Sequence, residues 1–100
     1  MRVIAVKSLR EFWRRYPDAE RPLRAWCDEV SRAIWLTPAD VKAQFRSASI
    51  LGNRRVVFNI KGNRYRLITA IAYNTGLVFI KFIGTHAEYD RVDAEHIEWR

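Results

Sequence analysis

One hundred residues, 49% hydrophobic and 29% charged, make one domain spanning 1–100 with one core. No apolar run approaches the roughly 20 residues that cross a bilayer, and Met1–Ser8 lacks the long apolar region and cleavage site of a signal peptide, so a cytoplasmic protein with no membrane association is expected. The net charge of +7 comes largely from an acid-free stretch between Asp40 and Glu88 that holds Lys42, Arg46, Arg54, Arg55, Lys61, Arg64, Arg66 and Lys81, a field that attracts polyanions, above all nucleic acid. The sequence then reverses sign at Glu88, Asp90, Asp93, Glu95 and Glu98.

Residues 2–6 are short and β-branched and read as a strand. Ser8 with Glu11 three residues on resembles a capping box, and Leu9, Phe12, Trp13 and Tyr16 follow at helical spacing, so a helix is predicted over 8–16. Tyr16-Pro17 stops it, because a residue before proline leaves the helical region. A second helix is predicted from Asp18 to Leu36, with Pro22 tolerated in its first turn and Leu23, Trp26, Cys27, Val30 and Ile34 on one core-facing stripe. Cys27 is the only cysteine. It rules out an internal disulfide and a Cys-based zinc site, and reads as a buried small hydrophobe. Thr37-Pro38-Ala39-Asp40 starts a third, short helix reaching about Phe45. Residues 46–53 read as a loop.

The second half is β. Residues 54–60, 64–73 and 77–84 are rich in Val, Ile, Phe and Tyr, separated by Gly62-Asn63 and Asn74-Thr75-Gly76, both hairpin chemistry. The expected fold is α+β, ordered β-α-α-α-β-β-β, with helices packed on one face of a small antiparallel sheet that the N-terminal strand joins.

A two-residue loop at Gly62-Asn63 pairs Lys61 with Arg64 and Asn59 with Arg66. A second two-residue loop at Thr75-Gly76 sets Arg66 opposite Thr85 and Ala70 opposite Lys81. Directly opposed side chains share a face, so Asn59, Lys61, Arg64, Arg66 and Lys81, joined by Arg55 of the same basic stretch, form a surface for RNA. Val56, Phe58, Ile60, Tyr65, Leu67, Ile80 and Phe82 face the helices. A one-residue slip of register would break this alignment.

Thr85-His86-Ala87-Glu88-Tyr89-Asp90 follows the last strand. His86 is a residue type that can exchange a proton near neutral pH, and Tyr89 can do so if cations lower its pKa. Each also has a plain structural reading: Thr85 caps a turn, Tyr89 is a packed aromatic, and a lone histidine near a strand end, such as His86, is more often structural than functional. His96, among acids near the C-terminus, is the weaker candidate. RNA cleavage needs a base for the ribose 2′-OH, cations for the phosphorane-like transition state and an acid for the leaving 5′-oxygen. His86 or Tyr89, with Arg66 and Lys81, meet that need. No metal-ligand pattern, phosphate-binding glycine loop or cofactor motif stands in the sequence.

Val57-Phe58-Asn59-Ile60-Lys61-Gly62-Asn63-Arg64-Tyr65-Arg66, followed by Ile80-Lys81-Phe82-Ile83-Gly84-Thr85-His86-Ala87-Glu88-Tyr89-Asp90, resembles the HigB toxin family of the RelE-like superfamily. Leu9-Arg10-Glu11-Phe12, Tyr16-Pro17 and Ala43-Gln44-Phe45 agree with it. The resemblance implies a RelE-like fold and mRNA cleavage, often on a translating ribosome. It also implies a HigA-type helix-turn-helix antitoxin whose complex with the toxin binds operator DNA. Asn59, Asn63, Arg66, Thr85, His86, Glu88, Tyr89 and Asp90 match its motif positions, with Arg66 assigned to phosphate and His86 or Tyr89 to proton transfer. Asn63 is assigned to the turn, and Glu88 and Asp90 to orienting or capping. Two rivals use the same surface without catalysis: an RNA-binding module stacking bases on Tyr65 or Tyr73, and a subunit docking an acidic protein.

Overall fold

The structure is a computed structural model and describes residues 1–98. Strand β1 (Arg2–Ile4) leads into helix α1 (Val6–Arg15), a single 3-10 turn (Pro17–Ala19) and helix α2 (Glu20–Ser31). Helix α3 (Pro38–Gln44) and strand β2 (Ser49–Ile50) follow. The chain continues through β3 (Arg55–Ile60), β4 (Tyr65–Ala72) and β5 (Leu77–Thr85) to a short helix, α4 (His86–Tyr89). The five strands lie in one sheet in the order β1-β5-β4-β3-β2. The sheet is mixed, because β1 runs parallel to β5 while the other pairs are antiparallel.

The α+β class and the β3-β4-β5 meander match the sequence reading. The third helix does too: it starts at Pro38, and Asp40 Oδ2 accepts from the backbone N–H of Leu36 at 2.8 Å and Thr37 at 3.1 Å. Four local expectations are corrected. Helix α1 begins two residues early, with Ala5 as its cap, so Ser8 sits inside the first turn. Helix α2 stops at Ser31, and the Met1 ammonium donates to Ala33 O at 2.6 Å just beyond it. The chain there turns Trp35 inward and leaves Ile34 83% exposed, off the stripe it was assigned to. The segment 46–53 contains β2, paired with β3. Cys27 is half-buried, packed at the rim of the core, where desolvation raises its thiol pKa.

One face of the sheet carries the core. Val56, Phe58 and Ile60 on β3, Tyr65, Leu67 and Ile71 on β4, and Val78 and Ile83 on β5 pack with Leu9, Phe12, Leu23, Trp26, Val30, Trp35 and Val41 from the helical half. Phe58 sits among Trp26 (ring centroids 5.3 Å apart), Phe45 (5.1 Å) and Trp35 (6.2 Å). The Trp35 indole N–H is satisfied by Gln44 Oε1 at 2.9 Å. Tyr65, 3% exposed, packs edge-on against Phe12, so it offers no platform for a base.

The other face is not bare. After α4 the chain runs back across it: Asn53 donates to Glu95 O at 2.7 Å and Arg55 donates to Ile97 O at 2.6 Å. Val57 and Ile68 lie on this face and are fully buried.

Candidate active site at the end of the sheet

The first hairpin has the expected register: Asn59 pairs with Arg66 and Ile60 with Tyr65. The second does not. Ala72 pairs with Leu77 across a longer turn, in which Gly76 takes φ +72°. Arg66 therefore lies opposite Gly84 rather than Thr85, and Ala70 opposite Phe79 rather than Lys81. Between Ile68 and Thr69 the pairing shifts by one, because β5 carries an extra residue between Ile80 and Phe82. That residue is Lys81. A bulge of this kind re-aims its side chain and reverses the alternation beyond it. Phe82, expected toward the helices, thus lies opposite Ile68, in line with Gly84 and Arg66.

The predicted basic face separates into three groups. At the first turn Lys61 takes φ +54° and Gly62 φ +65°. The alternation stops there, and both Lys61 and Arg64 lean to Asp18. Lys61 Nζ donates to Asp18 Oδ2 at 2.9 Å, Arg64 Nε lies 3.6 Å from the same oxygen, and the Tyr65 hydroxyl donates to Asp18 Oδ1. The Tyr65 hydrogen bond, then Lys61, holds the Asp18 carboxyl below its ordinary 3.8, while burial and Asp18 raise the Tyr65 phenol. At the far end Arg55, expected to meet RNA, is 3% exposed. It donates to Glu98 Oε1 at 2.9 Å, and Lys81 donates to Glu98 Oε2 at 2.7 Å. Lys61, Arg64, Arg55 and Lys81 are thus removed from the common open face by two carboxylates remote in sequence.

Arg66 stands between these groups and differs from both. Among the described residues it has no carboxylate partner; neutral groups hold it. Its Nη2 and Nε donate to Asn63 Oδ1 at 2.8 and 3.1 Å. Its guanidinium carbon lies 5.1 Å from the Tyr89 ring centroid, a cation–π placement. Its Nη2 lies 3.1 Å from His86 Nε2. A guanidinium can only donate, so Nε2 accepts and the imidazole proton sits on Nδ1, 3.3 Å from Asp90 Oδ2. A carboxylate beside one ring nitrogen and a lone pair on the other, held by Arg66 until that guanidinium moves, is an arrangement in which a histidine can take a proton.

Helix α4 sets this geometry. Thr85 Oγ1 accepts from Glu88 N at 3.2 Å, and Glu88 Oε1 accepts from Thr85 N at 2.8 Å. This capping box turns the chain at the strand end, so that His86 and Tyr89, three residues apart, share a side and face Arg66. Glu88 and Asp90 have the capping and orienting roles assigned to them. Asn59 is half-buried beside Arg66, as paired. Asn63, read only as a turn residue, proves to be the group that fixes the guanidinium. Its amide at the turn was the available signal, but its reach to Arg66 was not. Asp18 carried no local signal at all. His96 pairs with Asp93 at 2.8 Å, away from this cluster.

Two predictions follow from these contacts. Asn63→Ala, exposed and outside the core, is expected to lower turnover about tenfold by freeing the guanidinium to wander, with Tm unchanged; an unaltered rate would show that Asn63 does not position Arg66. Because the Asp18 pKa is lowered in the folded chain, its stabilisation is complete above 3.8 and lost as the pH falls through the depressed folded value. Asp18→Asn is therefore expected to flatten the acid limb of a pH–stability curve while lowering stability at pH 7. A variant that unfolds in acid like the parent would show that this carboxylate contributes nothing.

The chain matches the HigB toxin family, described as the RelE-like toxic component of a toxin–antitoxin system, over residues 19–92, a span that includes Asn63, Arg66, His86, Tyr89 and Asp90. An mRNA interferase toxin HigB of Escherichia coli strain K12 is 28% identical over 98 residues, covering 96% of this chain and 94% of its own length. The mRNA interferase HigB of Shigella flexneri has the same identity and coverage. That of Escherichia coli O6:H1 is 27% identical over 94 residues, covering 92% of this chain and 91% of its own. With matches that run through both the helical half and the sheet, the chain belongs to the HigB family of RelE-like toxins.

Proposed function

We propose that the chain is an endoribonuclease that cleaves mRNA, using Arg66, His86 and Tyr89. The carrying observation is Arg66, a half-buried cation with no carboxylate partner among the described residues, held by Asn63 against His86 and Tyr89. A phosphodiester supplies the charge this guanidinium lacks. Drawn to the phosphate, Arg66 releases His86 Nε2, which takes the ribose 2′-OH proton. The 2′-oxygen bonds to phosphorus as the P–O5′ bond breaks, Arg66 neutralises the transition state, and the Tyr89 hydroxyl protonates the leaving 5′-oxygen. The products are a 2′,3′-cyclic phosphate and a 5′-hydroxyl. These side chains fill each role themselves, so cleavage is expected to persist in EDTA.

The relatives' description as mRNA interferases supports the substrate. The exposed Arg10, Arg14 and Arg15 of α1 suit ribosomal RNA, in keeping with cleavage in the cytoplasm on a translating ribosome. Among the described residues no helix is long and apolar enough to cross a membrane. The family implies an antitoxin; we assign it the helix-turn-helix HigA type, with operator DNA bound through it. The test is induced expression in a bacterial host, beside His86→Ala and Arg66→Ala, following growth and the ends of cut messages. Growth arrest with 5′-hydroxyl ends, abolished in both folded variants, supports the reading. Intact messages under wild-type expression, or variants as active as the parent, overturn it.

A further inference from the structure

A cavity of about 230 Å³ opens on the second face of the sheet, lined by Arg54, Arg55, Ala70, Phe79, Lys81 and Glu98 among others. Three cations meet one carboxylate there. Lys81 is aimed into it by the β5 bulge. Arg55 is 3% exposed, and its buried Nε has no hydrogen-bond partner among the described residues. Arg54, in a left-handed conformation with φ +58°, lines the rim and makes no ion pair among the described residues. The carboxylate, Glu98, bridges Arg55 and Lys81 while its own side chain stays 62% exposed.

The asymmetry is the point. Burying a guanidinium is costly unless an anion and hydrogen bonds compensate it, and this one keeps a donor unused. The anion supplied is solvent-exposed and comes from the end of the chain rather than from the sheet. A carboxylate held by two cations in this way stands where a phosphate oxygen would bind.

Resting on the endoribonuclease reading above, we infer that Arg55, Lys81 and Arg54 form a second phosphate subsite for the RNA strand, occupied in the free protein by Glu98 as a displaceable internal ligand. The subsite lies on the face of Arg66. Ala70, its wall, is four residues along β4 from Arg66, roughly 13 Å at strand rise. The segment after α4 covers Val57 and Ile68 between the two, so an RNA strand that meets both passes over that segment, with the subsite a few nucleotides from the scissile phosphate. Glu98 then sets how readily RNA without other anchors is held.

The test is fluorescence-anisotropy binding of a short single-stranded RNA carrying 2′-O-methyl at every ribose, which the wild-type chain cannot cut, across a salt series. Glu98→Gln is expected to tighten binding roughly three- to tenfold. Lys81→Gln in that background is expected to cancel the gain and reduce the slope of log K against log salt by about 0.7. Glu95→Gln removes an equal charge from the same segment without touching the cavity and is expected to change affinity less than twofold, which separates a local site from net charge. If Glu98→Gln leaves affinity unchanged, or gains no more than Glu95→Gln, while wild type binds the analogue and cuts messages when expressed, the subsite is overturned and Glu98 is a structural latch. If wild type does not bind the analogue and its expression leaves cellular messages intact, the endoribonuclease reading itself falls.

Discussion

Arg66→Lys is expected to lower the single-turnover rate of RNA cleavage by roughly 10²–10³, the usual cost of losing one preorganised donor to a developing oxyanion. The substitution keeps the charge and loses the fork. Arg66 uses Nε and Nη2 together on Asn63 Oδ1, and Nη2 again on His86 Nε2, whereas an ammonium is a point donor on a flexible stem and cannot hold that geometry. RNA binding, measured by anisotropy on a 2′-O-methyl analogue, is expected to fall much less, because the phosphate still meets a cation. The split between rate and affinity is the signature of a group that acts in the transition state. A lysine variant that cleaves as fast as the parent would reduce Arg66 to a structural contact between β4 and α4. Parallel loss of rate and affinity would instead make it an anchor for substrate in its ground state.

The second large effect is on the fold. Phe58→Ala is expected to cost about 3–5 kcal/mol, against a total stability of roughly 5–15 kcal/mol for a domain of this kind. Phe58 is 1% exposed and meets Trp26, Trp35 and Phe45 with its ring; truncation removes three aromatic contacts at once and leaves a hole within the core cluster. The expected fall in Tm is on the order of 20 °C, read by thermal unfolding followed by circular dichroism. Ile34→Ala, at a site 83% exposed, is the comparison, expected to change stability by less than about 0.5 kcal/mol. Similar Tm values for the two variants would contradict the placement of the core. The loss also reaches the site, because Asn59, next in β3, pairs with Arg66.

These two residues differ in how visible they were. Phe58 could be placed from alternation alone, since Val56, Phe58 and Ile60 recur at the strand period and have one side to bury. The short third helix was equally plain, because its cap, proline and first-turn acid are all local. Helix α2 was read too long. Its apolar spacing continues to Ile34, but the Met1 ammonium on Ala33 O and the burial of Trp35 pull the chain out of the helix, and neither can be felt in a local window.

Charge was the least legible. The acid-free stretch and its likeness to the HigB motif indicated a nucleic-acid protein and singled out Arg66, His86 and Tyr89. Which cations stay open was decided elsewhere, by Asp18 reaching Lys61 and Arg64, 43 and 46 positions away, and by Glu98 reaching Arg55 and Lys81, 43 and 17 positions away. Alternation and turn chemistry act over a few residues, so the sequence by itself determined the meander, the core face, the Asn59–Arg66 pairing and the motif. Ion pairing acts through space, and one extra residue in β5 shifts every side chain beyond it. Only the tertiary structure could therefore turn a uniform basic face into a partly neutralised turn, a latched cavity and an arginine that, among the described residues, has no carboxylate partner and lies beside a histidine.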